Sequence, residues 1–375
     1  MDQTISPTPV TIEASGPELA VVIPTFNECE NIEPLAAKLR ETLAGIKWEV
    51  VFVDDDSTDG TVRELEKTWR RDPRFRSIRR VGRRGLASAV IEGMQSTFAP
   101  LVAVMDADLQ HDETLLVPMF ELLRHNQADL VVGSRYVAEA GTGAWDQRRL
   151  KISRLATRLS RTVLKGRRLN DPMSGFFMIS RNAFDGAVRN LSAQGYKILL
   201  DIVASSPESL RIEELPYVFG VRRKGVSKLD EVAVLEYFML LIDKLFGRWV
   251  PARFLMFAFI GSLGLVTHMT VLATALAIGV SFVVAQSVAT LIAIAGNFIL
   301  NNILTYRDRR IKGFGPILRG LLSFYAVCLV GAVANVGIAN FMFVQSYAWW
   351  ISGLCGVLVG AVWNYAASSV VTWRR

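Results

Sequence analysis

The stretch LVAVMDADLQHD, residues 101–112, places several acidic side chains directly after an apolar run. Such a run predicts a buried strand, and acids at its end must be solvated, paired or bound to a cation. Asp106 and Asp108 are two positions apart, which along a strand points both carboxylates to the same side. With the amide oxygen of Gln110 they form a set of hard ligands suited to Mg²⁺ or Mn²⁺ and unsuited to zinc. We therefore predict a divalent-cation site here and interpret His111 as a neighbouring contact.

A second group of acids follows another apolar run, in VFVDDDSTDGT at residues 51–61. Ser, Thr and Asp are common helix N-caps, so a capped loop explains part of this pattern. Capping needs one such residue, whereas this stretch carries four acids. Clustered acceptors at the end of a strand also suit the hydroxyl and ring N–H groups of a nucleoside.

The elements that position these groups alternate between strands and helices over the first half of the chain. Strand candidates are residues 19–26, 48–55, 101–108 and 129–135, and helical patterns lie at about 29–44, 60–71, 85–97 and 113–125. Apolar strands separated by helices predict a mostly parallel sheet that is covered on both faces. Ligands of such sheets bind at the carboxyl ends of the strands. The acidic and basic candidates fall at these ends, which indicates an enzyme.

Two basic segments follow the fourth strand candidate. Residues 134–166 open with Arg135 and a glycine-rich loop, and then form a basic amphipathic helix at about 147–166. Such a helix is usually solvated in a soluble protein, but beside a membrane its composition favours an interfacial position. The segment GVRRKGVSKL at 220–229 is either a surface charge run or a loop that closes over a diphosphate. Residues 230–250 form a second amphipathic stretch.

The composition changes near residue 250, and the rest of the chain is almost entirely apolar. The whole chain has 51% hydrophobic residues and a mean hydropathy of +0.30. Four apolar segments each reach the roughly 20 residues needed to cross about 30 Å of hydrocarbon. They lie at about 254–278, 281–304, 318–343 and 348–371. A soluble all-helical core is the alternative, but four such segments in succession favour a membrane domain.

The charge distribution predicts both the class of partner and the orientation. The chain of 375 residues has a net charge of +7, which suits nucleic acid, a membrane surface or a phosphorylated substrate. The cations flank apolar segments and lack interleaved aromatic residues, which argues against nucleic acid. Basic residues stand before the first span, between the second and third and after the fourth, while the other two loops are uncharged. The positive-inside rule then predicts that both termini and the N-terminal half are cytoplasmic.

Seven short motifs between residues 20 and 229 make the first half resemble a family 2 glycosyltransferase with the GT-A fold. They are VVIPTFNECENI, VFVDDDSTDGT, GLASAVIEGM, MDADLQH, LVVGSRY, DPMSGFFMISR and RRKGVSKL. Within that family the chain most resembles the dolichyl- or polyprenyl-phosphate mannose synthases. The second half resembles the four-span GtrA-like membrane family, through RFLMFAFIG and NFILNNILTYR.

This resemblance implies a domain organisation. After a flexible tail at 1–18, an α/β GT-A domain with a mostly parallel, Rossmann-like sheet is expected at 19–229. An amphipathic interface helix at 230–250 would lead into an all-α transmembrane domain of four helices at 251–375. The Q-x-x-R-W motif of the processive family members does not occur in the sequence, which favours a single transfer over polymerisation.

The resemblance also implies roles for individual residues. Mn²⁺ or Mg²⁺ would be bound by Asp106, Asp108 and Gln110. The nucleotide sugar would contact Pro24, Glu28, Asp54, Asp56, Asp106, Arg222 and Lys228. The acceptor phosphate would contact Arg135, Arg149 and Ser153. The expected catalytic residues are Asp108, Arg135 and Arg222.

The implied reaction moves mannose from GDP-mannose to dolichyl or polyprenyl phosphate, with inversion, at the cell membrane. A phosphate monoester has a second pKa of about 6, so the acceptor is mostly dianionic at pH 7 and needs no general base. Asp201 is therefore expected to have a positioning role at most. One alternative is the same reaction with UDP-glucose or another nucleotide sugar. The other is a lipid-sugar flippase or scaffold with an inactive transferase half, against which the intact motifs argue.

Overall fold

The chain forms two compact units, Met1–Leu245 and Phe246–Arg375, in the computed structural model. The structure describes residues 16–137, 157–164, 166–192, 195–206, 210–220, 237, 239–244, 251–306 and 309–373. Each unit has a hydrophobic core of its own, formed by strands and helices in the first and by aromatic side chains of helices in the second.

Strands and helices alternate through most of the first unit. Strands β1 to β7 are Leu19–Thr25, Trp48–Asp54, Phe75–Arg79, Leu101–Val104, Leu130–Ser134, Phe177–Ser180 and Ile212–Pro216. Helices α1 to α6 are Ile32–Thr42, Thr61–Arg71, Leu86–Gln95, Leu116–Arg124, Arg181–Val188 and Ile198–Ser205. A short 3₁₀ turn, Glu113–Leu115, precedes α4.

The strands form one sheet of order β3-β2-β1-β4-β6-β5-β7. All neighbouring strands are parallel except β6, which is antiparallel to both β4 and β5. The predicted mostly parallel sheet is therefore confirmed. Leu19 pairs in register with Trp48 on one side and Leu101 on the other. This register brings the carboxyl ends of β1, β2 and β4 together at one edge of the sheet.

Both faces of the sheet are buried, which explains why the strands read as continuous apolar runs. In β2, Val50 and Phe52 pack into the core on one face, while Val51 and Val53 pack into the core on the other. Helices α1 and α4 cover the first face, and α3, α5 and α6 cover the second.

All four predicted strands are present, but β4 is shorter than predicted. It ends at Val104 instead of running on to Asp108, and a turn follows in which Leu109 has a positive φ of 60°. Strands β3, β6 and β7 were not predicted from the sequence. Two of these are the edge strands, and their sequences FRSIR and IEELP carry the charged residues that edges tolerate.

The second unit consists of long apolar helices. They are α7 (Ala252–Ala277), α8 (Phe282–Leu300), α9 (Phe314–Val344) and α10 (Trp349–Val371). Each corresponds to one predicted span, and a π-helical turn, Asn301–Thr305, extends α8.

Within the described residues of this unit, three helical stretches are long and apolar enough to cross a membrane. They are Arg253–Ala277, Val288–Thr305 and Phe314–Asn335. A shorter apolar stretch, Leu358–Val371, lies in the fourth helix. The helical membrane domain is thus confirmed, and the crossing by the fourth helix stays a prediction.

Candidate active site

The predicted cation ligands lie in a turn after β4. Because the strand ends at Val104, the argument that strand alternation aligns Asp106 with Asp108 was wrong. The turn itself holds them: the backbone N–H of Gln110 donates to Asp108 Oδ1 at 3.2 Å. Asp108 is buried, whereas the Asp106 side chain is 36% exposed and can meet an incoming cation.

Two glycines pack closely against the residues of this turn. A Cβ at Gly175, in the DPMSG motif, would lie 3.1 Å from Asp106 Oδ2, so any larger residue would crowd this carboxylate. Gly220 donates its N–H to the Gln110 carbonyl at 2.9 Å and accepts from Gln110 Nε2 at 2.8 Å. Because the side-chain Nε2 of Gln110 is bound to Gly220, its side-chain Oε1 is the atom that Gln110 offers to a cation.

His111 supports the same turn from behind. Its Nδ1 accepts the backbone N–H of Asp106 at 3.1 Å, and its ring stacks on Phe176 at 5.1 Å between centroids. Tyr217 and Phe219 complete the aromatic surroundings. Burial lowers the pKa of His111 to about 4, so the ring is neutral at pH 7 and carries its proton on Nε2. This contact agrees with its interpretation as a neighbour of the cation site.

Arg135 forms a buried pair with Asp171. Its Nε and Nη2 donate to the two Asp171 oxygens at 2.7 and 2.8 Å, and its backbone N–H donates to the same carboxylate. Burial alone would lower the pKa of this guanidinium, but the bonds and charge of Asp171 raise it above the usual value. The Asp171 N–H in turn donates to Glu214 at 3.1 Å. Arg135 is thus a permanently charged group whose orientation is fixed.

The loops after β1 and β2 are joined by side-chain to backbone hydrogen bonds. The Asn27 N–H donates to Ser57 Oγ at 2.8 Å, and the Thr58 N–H donates to Asn27 Oδ1 at 3.0 Å. The Glu28 N–H donates to Thr61 Oγ1 at 3.0 Å. These bonds explain why Ser and Thr follow the acidic run and why Asn27 follows β1, and they make one rigid rim from two loops.

The three consecutive acids after β2 have different partners. Asp55 accepts from Arg80 Nη1 at 2.6 Å and from the Gly85 N–H at 2.7 Å, so its carboxylate stabilises the loop. Asp56 is partly exposed and contacts Arg79 at 3.2 Å. Asp54 Oδ1 is buried and accepts no hydrogen bond from the described part of the chain. A buried acceptor without a donor is costly, so Asp54 is suited to a ligand hydroxyl or N–H.

The remaining predicted residues divide into two groups. Pro24 lies in β1 opposite Val53, and Glu28 accepts a hydrogen bond from Asn31 Nδ2 at 2.6 Å. Four predicted residues lie outside the described residues: Arg149, Ser153, Arg222 and Lys228.

The groups that hold the site residues in place were not predicted from the sequence. Arg80 follows an unpredicted edge strand, and no motif marked its bond to Asp55. Asp171 belongs to the motif DPMSGFFMISR, but only the structure shows its bond to Arg135. The cluster of arginines at 79–84, directly before GLASAVIEGM, is the sequence signal that could have pointed to Arg80.

The arrangement fits a divalent cation that shares its ligands with a substrate. No three His, Cys, Asp or Glu side chains cluster as a metal site within the described ranges. Two carboxylates and an amide oxygen are few ligands for an all-protein site, but Mg²⁺ usually keeps waters and binds substrate phosphates.

Asp201 has no role at this turn, because its partners are all structural. Its carboxylate accepts from Lys244 Nζ at 2.6 Å, from the Ser192 N–H and hydroxyl, and from Ser205 Oγ. The residue is completely buried. Both carboxylate oxygens are therefore engaged by groups of the same unit.

Comparison with known proteins assigns both units to families. The model for Glycosyl transferase family 2 matches residues 20–186, and the model for the GtrA/DPMS transmembrane domain matches residues 256–373. A glucosyl-3-phosphoglycerate synthase from Mycobacterium tuberculosis shares 21% identity at a TM-score of 0.45, covering 62% of this chain and 82% of that chain. The two family matches together indicate a glycosyltransferase joined to a membrane domain.

Two curated relatives identify the family more closely. The dolichol-phosphate mannosyltransferase of Pyrococcus furiosus is 32% identical over 357 residues, which are 95% of this chain and 99% of the relative. That of Mycosarcoma maydis is 36% identical over 238 residues, which are 61% of this chain and 80% of the relative. The chain belongs to the dolichol-phosphate mannosyltransferase family, and the predicted fusion with a GtrA-like domain is confirmed.

Proposed function

We propose that this enzyme transfers mannose from GDP-mannose to the phosphate of dolichol or a related polyprenol. The names of the relatives support both the sugar and the acceptor. The observation that carries the proposal is the turn of Asp106, Asp108 and Gln110. Its hard oxygen ligands stand at the carboxyl end of β4, where ligands of parallel sheets bind.

A divalent cation would be held by Asp106, Asp108 and Gln110. Bound there with the donor diphosphate, Mn²⁺ or Mg²⁺ would offset the charge that builds on the leaving group. The backbone of Gly220 fixes the Gln110 side chain. Arg222 and Lys228 follow in the sequence, and we assign them to the donor diphosphate.

The nucleoside would occupy the rim formed by the loops after β1 and β2. Asp54 has a buried oxygen to offer a hydroxyl or N–H, and Asp56 is partly exposed beside it. Pro24 and Glu28 lie in and after β1, whose carboxyl end adjoins that of β2. The rim is rigid before a ligand arrives, which reduces the entropy cost of binding.

The acceptor phosphate would be recognised by Arg135, Arg149 and Ser153. An acceptor phosphate oxygen forms the new bond to the anomeric carbon, while the bond from that carbon to the diphosphate breaks on the opposite face. The electron pair of the broken bond leaves with GDP, and the anomeric centre is inverted. A phosphate with a second pKa of about 6 is already ionised at pH 7, so no side chain has to remove a proton. The complete internal bonding of Asp201 supports this mechanism.

The membrane unit would hold the transferase at the bilayer surface, where the lipid phosphate lies. The distribution of Lys and Arg supports a cytoplasmic position for the transferase and both termini. A truncated chain ending near Gly247 tests whether the spans also take part in catalysis. Unchanged kcat on detergent-solubilised polyprenyl phosphate would exclude a catalytic role for them.

The proposal is tested with the full-length protein and polyprenyl phosphate. GDP-mannose, UDP-glucose and UDP-N-acetylglucosamine are offered as donors, each with Mn²⁺ and with a chelator. We expect product from GDP-mannose with Mn²⁺ and none with the chelator. Turnover of UDP-glucose alone would move the assignment to another donor, and no turnover with any donor would reject the enzyme as proposed.

A further inference from the structure

The net charge of the protein lies entirely in the membrane unit. Residues 246–375 contain nine Lys and Arg side chains and one acid, Asp308. The remaining 33 basic and 34 acidic residues of the chain nearly cancel in the first unit. Such an excess of cations at the ends of apolar helices suits anionic head groups at a bilayer surface.

One loop of this unit forms a cavity that combines cations with apolar walls. The cavity has a volume of about 280 Å³ and lies between the end of α8, residues 310–313 and the start of α9. Arg310 and Lys312 line it and are exposed. Its walls include Ile299 and Ile317, which are 53% and 38% exposed.

The loop is held in place by a buried side chain. Asn302 Nδ2 donates to the Ile311 carbonyl at 3.1 Å, and its Oδ1 accepts the Ile311 N–H at 2.8 Å. The same oxygen accepts from Trp373 Nε1 at 3.1 Å. Because the N–H and the carbonyl of Ile311 are both hydrogen-bonded, the backbone of its neighbours Arg310 and Lys312 is held beside the cavity.

We propose that this cavity binds the phosphate of an anionic bilayer lipid, with the start of one acyl chain against the isoleucines. Arg310 and Lys312 supply charge for the phosphate. A free phosphate would leave the apolar walls in water, whereas a lipid covers charge and wall together. The proposal goes beyond the transferase site, since every residue that lines the cavity belongs to the membrane unit.

The test measures lipid retention by the purified full-length protein in native mass spectrometry. Phosphatidylglycerol and phosphatidylcholine with identical acyl chains are compared. We expect the anionic lipid to bind more tightly, and Arg310→Gln and Lys312→Gln to weaken it by about fivefold each. Arg319→Gln is the matched control, because it removes the same charge from a residue that does not line the cavity. It should leave retention within about twofold of the wild type.

Three results would overturn the proposal. One is equal retention of both lipids, and another is an equal loss in Arg310→Gln and Arg319→Gln. The third is displacement of phosphatidylglycerol by millimolar inorganic phosphate, which would indicate a site for soluble anions. Asn302→Ala provides a second variant that keeps both cations but releases the loop. It should weaken the anionic lipid selectively and leave phosphatidylcholine retention unchanged.

A different set of contacts shows a repeat in the same unit. The sequence NFILNNILTYR at 297–307 recurs as NYAASSVVTWR at 364–374, an offset of 67 positions, with Asn, Thr and Arg in the same places. The same offset relates Gly264 to Gly331. In the structure, a Cβ at Gly264 would collide with Asn297, and a Cβ at Gly331 would collide with Asn364. Each glycine therefore accommodates the asparagine of the next helix.

Contacts between the two halves obey the same offset. Phe257 contacts Tyr365 at 5.8 Å between ring centroids, and the equivalent residues Phe324 and Phe298 are 5.9 Å apart. Two equivalent residues also meet each other: Tyr306 stacks on Trp373 at 4.1 Å. Equivalent residues touch only near a two-fold axis, where each half makes the same contact with the other.

We infer that the membrane unit contains one helical hairpin twice, arranged about a pseudo-two-fold axis that passes between Tyr306 and Trp373. The first copy is α7 with α8, and the second is α9 with α10. Asn297 and Asn364 occupy equivalent positions in the two hairpins. Each buries its Oδ1 against a glycine of the other helix of its hairpin. Small residues at such positions let membrane helices approach closely.

Cysteine cross-linking in membranes tests this symmetry, in a full-length variant whose Cys29, Cys328 and Cys355 are replaced. We expect equal cross-linking of the equivalent pairs 257/365 and 324/298, and cross-linking at 306/373. The control pair 259/365 should not react, because Phe259 is 58% exposed and lies on another side of α7. Cross-linking of one equivalent pair without the other, or a failure at 306/373, would refute the repeat.

Discussion

The acids of the turn after β4 and the acid Asp201, both in the transferase unit, have different surroundings. The first, Asp106 and Asp108, follows β4 and includes a side chain that is 36% exposed. The second, Asp201, is completely buried and bound by Lys244, Ser192 and Ser205. The sequence assigned the chemistry to the first group and predicted a positioning role at most for Asp201.

The difference shows how to separate a functional acid from a structural one. A carboxylate whose oxygens are all bound within the protein contributes to stability and has little capacity left for a ligand. A carboxylate that is exposed at the carboxyl end of a sheet, where a cation can approach it, contributes to activity at some cost in stability. Substitutions in the two groups should therefore affect different measurements.

The largest effect is expected from Asp108→Asn. The variant keeps an oxygen for the Gln110 N–H but loses the negative charge that a divalent cation needs. We expect kcat with Mn²⁺ to fall by about 10³-fold, with thermal stability unchanged or slightly higher. Asp112→Asn is the matched control, since Asp112 caps the following 3₁₀ turn through Thr114 and Asn caps equally well. An inactive Asp112→Asn, or an active Asp108→Asn that still depends on Mn²⁺, would contradict the comparison.

The sequence identified the acids of this turn, but it did not predict the turn itself. The apolar run before Asp106 identified β4, and the acids identified the carboxyl end of the sheet. The exact end of the strand could not be predicted, because Met105 is apolar and buried like the residues before it. The positive φ of Leu109, which makes the turn, has no signature in a leucine.

The same limit applies to partners that are distant in the sequence. The sequence showed three acids after β2, but the hydrogen bonds of Asp55 depend on Arg80 and Gly85, from a loop that follows an edge strand. The antiparallel direction of β6 likewise depends on tertiary pairing, because its apolar sequence FMIS fits either direction. Local patterns therefore predicted which elements exist, and long-range contacts decided which acid carries an unbound oxygen.

The second effect is expected from Arg135→Lys, which sharpens the contrast between buried and exposed charge. Lysine keeps the positive charge but cannot bind both Asp171 oxygens in one plane. We expect kcat/KM for the acceptor to fall by about 10²-fold, and the free energy of unfolding to fall by about 2 kcal/mol. Arg211→Lys is the control, because Arg211 makes the same two-oxygen contact with Asp129 at the surface. Equal losses in both variants would mean that burial of the pair has no consequence.

The third prediction concerns the absence of a protein base. If the acceptor dianion attacks, kcat/KM for the acceptor should fall about tenfold per pH unit below roughly pH 6 and stay level above it. An acceptor with a more acidic phosphate should move this fall to lower pH by the difference between the two phosphate pKa values. A profile that stays in place when the acceptor changes would indicate a titrating group of the protein.

The smallest effect on catalysis is expected from Asp201→Asn, together with a large effect on stability. The substitution leaves the Lys244 ammonium in a site where its side chain is only 9% exposed, without its counter-charge. Breaking a buried pair in this way costs about 3 kcal/mol or more, whereas kcat of the folded protein should stay within about threefold of the wild type. Asp201→Asn combined with Lys244→Met should recover most of the lost stability, because no charge is then buried alone. A folded Asp201→Asn protein as inactive as Asp108→Asn would instead assign a catalytic task to Asp201 and remove the distinction between the two groups.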